Sequence, residues 1–445
     1  MKKLISILFF ISSFYILKAQ ENNYSFTLNE AIDFALENNY TVKTSKLDID
    51  AAEKKKWETT TMGLPQIDGA VDYQNWLKQG ITLLPSEIFG GPPGEFEEVT
   101  FGTKQNLNAT VTLKQLLFDG SYLVGLQSAK TFLKISNLAK IKTDQSIREA
   151  VINAYGNVLL AQETIIILEK NKTTLENNLY ETKIILENGL VEIQDVEQQQ
   201  ITLSTIENQL NKAKRFEIIA KKMLNLTLGI PIETEVTLND NLEYLALKSS
   251  DLNLINQTFD LDNHIDYKIA DNKVVAEELF VKFEKSQALP SLNAFVNYST
   301  FANNDNNVFY NNNGGWFDSS LFGVSLNVPI FSSLQRSSRT QQAKISLEQS
   351  EIELNETSEK LKLQVATAKN KYQFALDQFQ TSKQNLVLAE SIANKEQIKF
   401  FEGLSSSINL ANVQNQLYNK QQEYIQSILE IIQTKVELEN ALNIY

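Results

Sequence analysis

The stretch Leu64-Pro65-Gln66-Ile67 returns later in the chain as Leu289-Pro290-Ser291-Leu292. Leu113 to Asp119, LKQLLFD, returns as Leu326 to Ser332, LNVPIFS. Glu187 to Leu190, ENGL, returns as Phe401 to Leu404, FEGL. One such match would carry little. Three in the same order mark an internal duplication, and a repeat of this size sets the architecture. Each half reads as helix, Leu-Pro turn, strand, loop, strand, Phe-containing turn, long helix, Gly-Leu turn, helix. The expected division is a first repeat over 21–225, a linker and equatorial segment over 226–261, and a second repeat over 262–445.

The helices are long because little interrupts them. The chain has 7 prolines and 16 glycines in 445 residues, and both types break helix interiors. Thr27 with Glu30 three residues later makes a capping box, and the apolar spacing of Leu28, Ile32, Ala35 and Leu36 predicts a helix reaching Met62. From Ser121 to Glu187 no proline occurs, and Val151, Ala154, Tyr155, Val158, Ile165 and Leu168 keep a helical spacing. At ~1.5 Å per residue that helix is about 100 Å long. A second helix, from about Glu192 to Asn225, follows the Gly189 turn. The later half repeats the pair from about Leu334 to Phe400 and from Ser406 to Asn443. In the last of these, Leu410, Val413, Leu417, Tyr424, Ile428 and Ile431 approximate a coiled-coil seam.

Four segments have period two instead. They lie at about 67–76, 107–115, 291–300 and 321–329. Ile67, Gly69, Val71 and Tyr73 alternate with Asp68, Ala70, Asp72 and Gln74, and the other three alternate likewise. One apolar and one polar face suits a barrel strand between lipid and a wet lumen, and each run is near the ~9–11 residues of a tilted membrane strand. Polar loops are expected at Lys78 to Asn106, with Gly90-Gly91-Pro92-Pro93-Gly94, and at Ala302 to Ser319, with Gly314-Gly315.

The N-terminus points to export. Lys2 and Lys3 precede an apolar core from Leu4 to Leu17, and Ala19 and Gln20 offer a cleavage point. Residues 1–20 read as a signal peptide. There is no cysteine, hence neither a disulfide nor a lipid-bearing cysteine. No run of about 18 apolar residues follows, so no spanning helix is expected. The net charge is −13, which argues against nucleic acid as a partner.

These elements force assembly. An open sheet edge cannot face lipid, and four strands are fewer than the roughly eight of the smallest membrane barrels. Several chains must share one barrel: two would supply eight strands and three would supply twelve. Helices near 100 Å cannot lie lengthwise in a ~30 Å hydrocarbon core, so they must project into the periplasm.

The layout resembles the TolC-like outer-membrane efflux family over essentially the whole mature chain. The residues that carry it are LNEAIDFALENN at Leu28 to Asn39, both Leu-Pro turns, LFDG at Leu117 to Gly120, and above all GLVEIQDV at Gly189 to Val196. The resemblance implies a mainly α fold with a small β part. Long antiparallel hairpins would form a periplasmic α-barrel, and four strands per protomer would join a trimeric, twelve-stranded outer-membrane β-barrel. It also implies a passive exit duct that docks a periplasmic adaptor (membrane fusion) protein and an inner-membrane RND or ABC transporter.

The resemblance places function at the two hairpin turns. By position, Gly189, Leu190, Gly403, Leu404 and Ser405 would meet the adaptor, and Asp195, Asn409 and Asn412 would line a pore constriction. Gly suits a turn that ends a helix with φ above zero. A ring of Asp195 carboxylates would attract cations. The second hairpin departs from the family pattern: Asn409 and Asn412 stand where it has two aspartates, and Ser405 where it has a basic latch. Weaker cation selectivity and no charge-paired latch are expected.

Other classes fare worse. A soluble periplasmic coiled-coil adaptor or structural protein would explain the helices but not four strands placed symmetrically between them. With one histidine, His264, and no cysteine, a multi-histidine or thiolate metal site within one chain is excluded. No P-loop or dinucleotide fingerprint occurs, so neither catalysis nor a cofactor is expected. His264 reads as a surface or capping residue. The cargo, and efflux as against type I secretion, are not legible.

Overall fold

The computed structural model describes residues 24–305 and 315–444. The expected signal peptide, 1–20, lies outside the described residues. In chain order the elements are β1 (Tyr24–Phe26), α1 (Leu28–Asn38), α2 (Tyr40–Thr61), β2 (Gln66–Asn75), β3 (Ile81–Pro85), β4 (Phe96–Thr100), β5 (Gln105–Asp119), α3 (Gly120–Glu187), α4 (Ile193–Leu228), β6 (Val236–Leu238), α5 (Leu242–Ser249), α6 (Ile265–Ser286), β7 (Ser291–Asn304), β8 (Trp316–Asn327), α7 (Gln335–Phe401) and α8 (Ser407–Leu442). The duplication shows in their lengths. α2 and α6 have 22 residues each, α3 and α7 have 68 and 67, and α4 and α8 have 36 each.

The chain forms two compact units, and each takes pieces of both repeats. One comprises Met1–Asp48, Asn137–Ala270 and Leu354–Tyr445; the other comprises Ile49–Ser136 and Asp271–Glu353. The first is helical. Its main core joins Ala31, Ile32 and Ala35 of α1 to Val151, Tyr155 and Val158 of α3, Leu224 and Leu228 of α4, and Ile428, Ile432 and Val436 of α8. Tyr155 is fully buried, and its hydroxyl lies 2.9 Å from both the Phe26 carbonyl and Asp240 Oδ2. Asp240 Oδ2 also accepts from the Leu28 amide at 2.6 Å, so this one carboxylate ties the start of α1 to α3. Burial first, then the hydrogen bond to Asp240, pushes the phenol's pKa up.

The structure departs from the sequence pattern at several places. The helix predicted from Thr27 to Met62 is broken at Asn39. Asn39 Oδ1 accepts from the Thr41 and Val42 amides, at 2.7 and 3.3 Å, and so caps a new helix, while Nδ2 donates to the Thr227 carbonyl at 2.7 Å. Segment 226–261, expected as a linker and equatorial segment, has structure of its own. It holds β6, which pairs in parallel with β1, and α5, whose Leu242, Leu245 and Ala246 join the main core. The loop expected over Lys78 to Asn106 contains the antiparallel β3–β4 hairpin. One helix, α3, does hold an 18-residue stretch apolar enough to cross a membrane, with mean hydropathy 1.4 and half of it buried. It is the one such helix among the described residues, and Val151, Ile152, Tyr155, Val158 and Leu159 of α3 are buried in the core just described.

His264 is not on the surface. It is 2% exposed, with its ring 5.9 Å from that of Phe259. The capping role holds: Nδ1 accepts from the Asp266 amide at 3.2 Å at the start of α6. Desolvation, the largest effect, lowers its pKa below 6.5; Asp266 opposes this and Lys142 adds to it. A base held neutral in the fold but protonated once unfolded costs stability as pH falls below the unfolded value. Thermal unfolding of the detergent-extracted protein should therefore show stability falling from neutral pH to about pH 5, and His264→Asn should flatten that slope. An unchanged slope in the variant would contradict the assignment.

Candidate functional site: an exposed apolar sheet and two hairpin turns

The sheet unit is built on four antiparallel strands in the order β2-β5-β7-β8. Their register puts residues directly opposite one another on the same face. Ile67, Val71 and Tyr73 stand opposite Leu113, Ala109 and Leu107. Val111 and Leu113 stand opposite Tyr298 and Val296, and Val296 and Leu292 opposite Phe322 and Leu326. One face is thus mainly apolar across all four strands, with Thr300, Asp318 and Ser320 interrupting it toward one end. The other carries Asp68, Asp72, Asn108, Thr112, Lys114, Asn297 and Ser325, with Lys114 Nζ 3.8 Å from Asp68 Oδ2.

The apolar face is not covered. Val71 is 71% exposed, Ile67 and Phe322 69%, and Leu326 61%. Each such side chain left in water forgoes roughly 1.5–3 kcal/mol. A handful of them equals the whole ~5–15 kcal/mol stability of a typical domain. A sheet built for water would not keep this face; one built for lipid requires it. Among the described residues, both edges, β2 and β8, are paired on one side only. The strands of 10, 15, 14 and 12 residues reach or exceed the length of a tilted membrane strand. β7 and β8 extend into the loop expected at Ala302 to Ser319; residues 306–314 of that loop lie outside the described residues.

In the helical unit, the two hairpin turns are built alike. The Gly189 amide donates to the Leu186 carbonyl and the Leu190 amide to the Ile185 carbonyl, at 2.8 and 3.1 Å. The Gly403 amide donates to Phe400 and the Leu404 amide to Lys399, at 3.0 and 2.7 Å. This is the Schellman pattern, with Gly189 at φ +72° and Gly403 at φ +74°. In that pattern the following residue often packs back on its own helix. Here Leu190 and Leu404 are 77% and 73% exposed, so local packing does not account for them.

The next turn of chain differs between the hairpins. In the first, Asp195 Oδ2 accepts from the Glu192 amide at 3.0 Å and completes a capping box at the start of α4. Asp195 is half-buried. In the second, the Asn409 amide donates to Ser406 Oγ at 3.3 Å, and both Asn409 and Asn412 are exposed. Ser405 Oγ donates to Glu396 Oε1, and Lys399 Nζ lies 3.3 Å from Glu396 Oε2. The Ser405 hydrogen bond, ahead of Lys399, holds the Glu396 pKa down.

Residues that the apolar pattern skips join the two hairpins. Asn171 of α3 donates to Gln421 of α8 at 2.8 Å, and Gln397 of α7 donates to Asn178 of α3 at 2.9 Å. Gln414, Tyr418, Gln421 and Ile425 form the buried line of α8, whereas Val413, Leu417 and Tyr424 are only half-buried. The predicted seam holds at Leu410, Ile428 and Ile431, which are buried; between Leu410 and Ile428 the buried line runs one residue round from it, through two glutamines that an apolar search passes over. Within the first hairpin the contact is apolar, joining Leu168, Leu175 and Leu179 to Leu203, Ile206 and Leu210.

A sheet with a lipid-compatible face, combined with paired hairpins of very long helices, defines a membrane-channel subunit. The family model of the outer membrane efflux protein matches residues 31–229 and 268–443, and the chain belongs to that family. It is an outer-membrane efflux channel protein, with its helical part in the periplasm. It is 22% identical over 343 residues to the outer membrane protein TolC of Vibrio cholerae, covering 74% of this chain and 76% of that one. Its fold is similar to that of CusC (TM-score 0.73, 16% identity, 96% of this chain and 95% of that one). It is also similar to the outer membrane protein VceC of Vibrio cholerae (TM-score 0.70, 15% identity, 93% and 95%). The Campylobacter jejuni CmeC outer membrane channel gives 0.70, 16%, 93% and 85%.

A β-branched residue at Gly403 would be forced into the left-handed region, at a cost of roughly 1–2 kcal/mol. Its added Cβ meets no atom within 4 Å, so the damage should stay at the turn. Gly403→Val should impair drug export while heat-resistant oligomers still assemble in the outer membrane. Normal resistance in a strain relying on the variant would count against a role for this turn.

Proposed function

We propose that three copies of the chain share one twelve-stranded barrel and act as the passive exit duct of a tripartite efflux or type I secretion system. The observation that carries this is the apolar face running uncovered across a sheet with two open edges. Four strands cannot close alone, and membrane sheets have no open edge. CusC, a protein of the same fold, undergoes conformational changes that accompany folding and transmembrane channel formation, and channel formation is proposed for this chain too. The repeats at 21–225 and 262–445 each supply two strands and one helical hairpin, with 226–261 between them. Transport here needs no bond chemistry, so the chain is read as a conduit and not an enzyme.

The hairpin turns are the docking end of this reading. Gly189, Leu190, Gly403, Leu404 and Ser405 would meet a periplasmic adaptor, which links the channel to an inner-membrane RND or ABC pump. Two exposed leucines at the turns suit that task, because burial of apolar surface drives most protein–protein association. Asp195, Asn409 and Asn412 would line the constriction. Of these, only Asp195 carries charge, and its carboxylate also serves its own helix cap. The pore should therefore be only weakly cation-selective.

Planar-bilayer recording tests both statements. The purified protein should form ion-conducting pores, and Asn409→Asp with Asn412→Asp should shift the reversal potential toward cation selectivity. Absence of conductance would refute the channel reading. An unchanged reversal potential would remove these two residues from the constriction.

A further inference from the structure

We propose that the two open edges of the sheet join between neighbouring copies in one fixed register, with Ser325 of one copy opposite Asp72 of the next. The proposal rests on the shared-barrel reading above and adds which residues meet. Its basis is the duplication. The matched motifs make Gln66 equivalent to Ser291 and Leu113 equivalent to Leu326. Two seams inside the chain allow a check. β2 and β5 pair Gln66 with Lys114, Ile67 with Leu113 and Val71 with Ala109. β7 and β8 pair Ser291 with Asn327, Leu292 with Leu326 and Val296 with Phe322. These are the same pairs under the equivalence, so the duplication preserved strand register as well as fold.

One seam inside the chain has no internal counterpart. β5 pairs with β7, setting Val111 opposite Tyr298, Thr112 opposite Asn297 and Leu113 opposite Val296. Its equivalent joins β8 to a second β2, and these are the two open edges. Translated, Val324 meets Tyr73 of the next copy, Ser325 meets Asp72, Leu326 meets Val71, Asn327 meets Ala70 and Val328 meets Gly69. Every pair keeps to one face. A one-residue slip would set apolar against polar along the whole seam. The central polar pair is chemically matched as well. Asn297 Nδ2 donates to Thr112 Oγ1 at 3.0 Å inside the chain, and the Ser325 hydroxyl can donate to the Asp72 carboxylate in the same place.

The end of β8 agrees. β5 stays in the sheet to Asp119, paired there with Ser291, after a register shift between Leu116 and Phe118. β8 stops at Asn327, where the chain alone has no second β2 to continue it. Pro329 stands at the position of Leu116, beside that shift, where a strand tolerates proline. Ile330 and Phe331 are 89% and 81% exposed, against 52% and 40% for their equivalents Leu117 and Phe118, which lie beside β7. The neighbouring copy's Leu-Pro turn would cover them. The equivalence ends at Ser333 and Leu334, whose φ of 48° and 68° depart from the direct run of Gly120 into α3.

The chain has no cysteine, so introduced pairs report cleanly. In the full-length protein in isolated outer membranes, Ser325→Cys with Asp72→Cys should give reducible, disulfide-linked multimers on treatment with a thiol oxidant such as copper phenanthroline. Opposed residues in antiparallel strands lie ~4.5–5.5 Å apart between Cα atoms, within disulfide reach. Within one chain the same two strands are separated by two others, or about 14 Å, so a bridge must join copies. Ser325→Cys with Gln74→Cys is displaced by two residues, roughly 7 Å, and should link far less. Equal or stronger linkage of the displaced pair overturns the register. So does absence of linkage in both pairs while heat-resistant oligomers persist. Loss of oligomers and conductance in the cysteine-free parent would instead overturn the shared barrel itself.

Discussion

The backbone hydrogen-bonding capacity of two strand edges governs the rest of this molecule. β2 and β8 each leave a row of N–H and C=O groups without a strand partner in one chain. In water such edges are tolerable; in hydrocarbon each unmet group costs several kcal/mol. The face between the edges is apolar and exposed, so hydrocarbon is where the sheet belongs. Those two facts conflict in a monomer and are reconciled only by other copies. The duplicated chain supplies the means, because a seam that already works between its halves can be repeated between molecules.

The helical unit solves a different problem. Its core around Tyr155 and Asp240 is fixed by apolar packing and by a carboxylate shared between a helix start and a phenol. Near the hairpin turns the contact between hairpins changes character. Asn171 with Gln421 and Asn178 with Gln397 replace apolar contacts. Neutral amide pairs are each worth about 0.5–1.5 kcal/mol net, and a buried amide left unmet costs about 1–3 kcal/mol; Asn171, Asn178 and Gln421 are buried. A seam of that kind holds two helical hairpins in register without fusing them. The second hairpin, with Asn409, Asn412 and Ser405 in place of charges, follows the same economy of charge. Among the described residues, the ionic contact near its turn, Glu396 with Lys399, lies within a single helix.

Most of the architecture is legible in the sequence because long helices and membrane strands have strong, different periods. The four strands, the four long helices and both Gly-Leu turns follow from spacing and from the repeat. The features that escape such a reading do so for physical reasons. Asn39 looks like one more helical residue until its side chain is seen capping the next helix. The β3–β4 hairpin sits in a stretch whose Gly and Pro content signals turns more loudly than Ile81 to Leu84 signals a strand. Gln414 and Gln421 are invisible to a search for apolar stripes, yet they occupy the buried line of α8. His264 reads as exposed because nothing in its local sequence shows that Phe259 and α6 enclose it. At the turns, spacing locates the glycines and leucines, but the capping role of Asp195 and the Ser405–Glu396 contact need coordinates.

A single chain is an unfinished membrane structure. Native mass spectrometry of the protein, gently extracted from outer membranes, measures this most directly. Three chain masses in one complex, persisting after detergent is stripped in the gas phase, is the predicted result. A complex that is monomeric under conditions that keep its helical content would contradict it, because a lone four-stranded sheet with two open edges would then be stable in lipid.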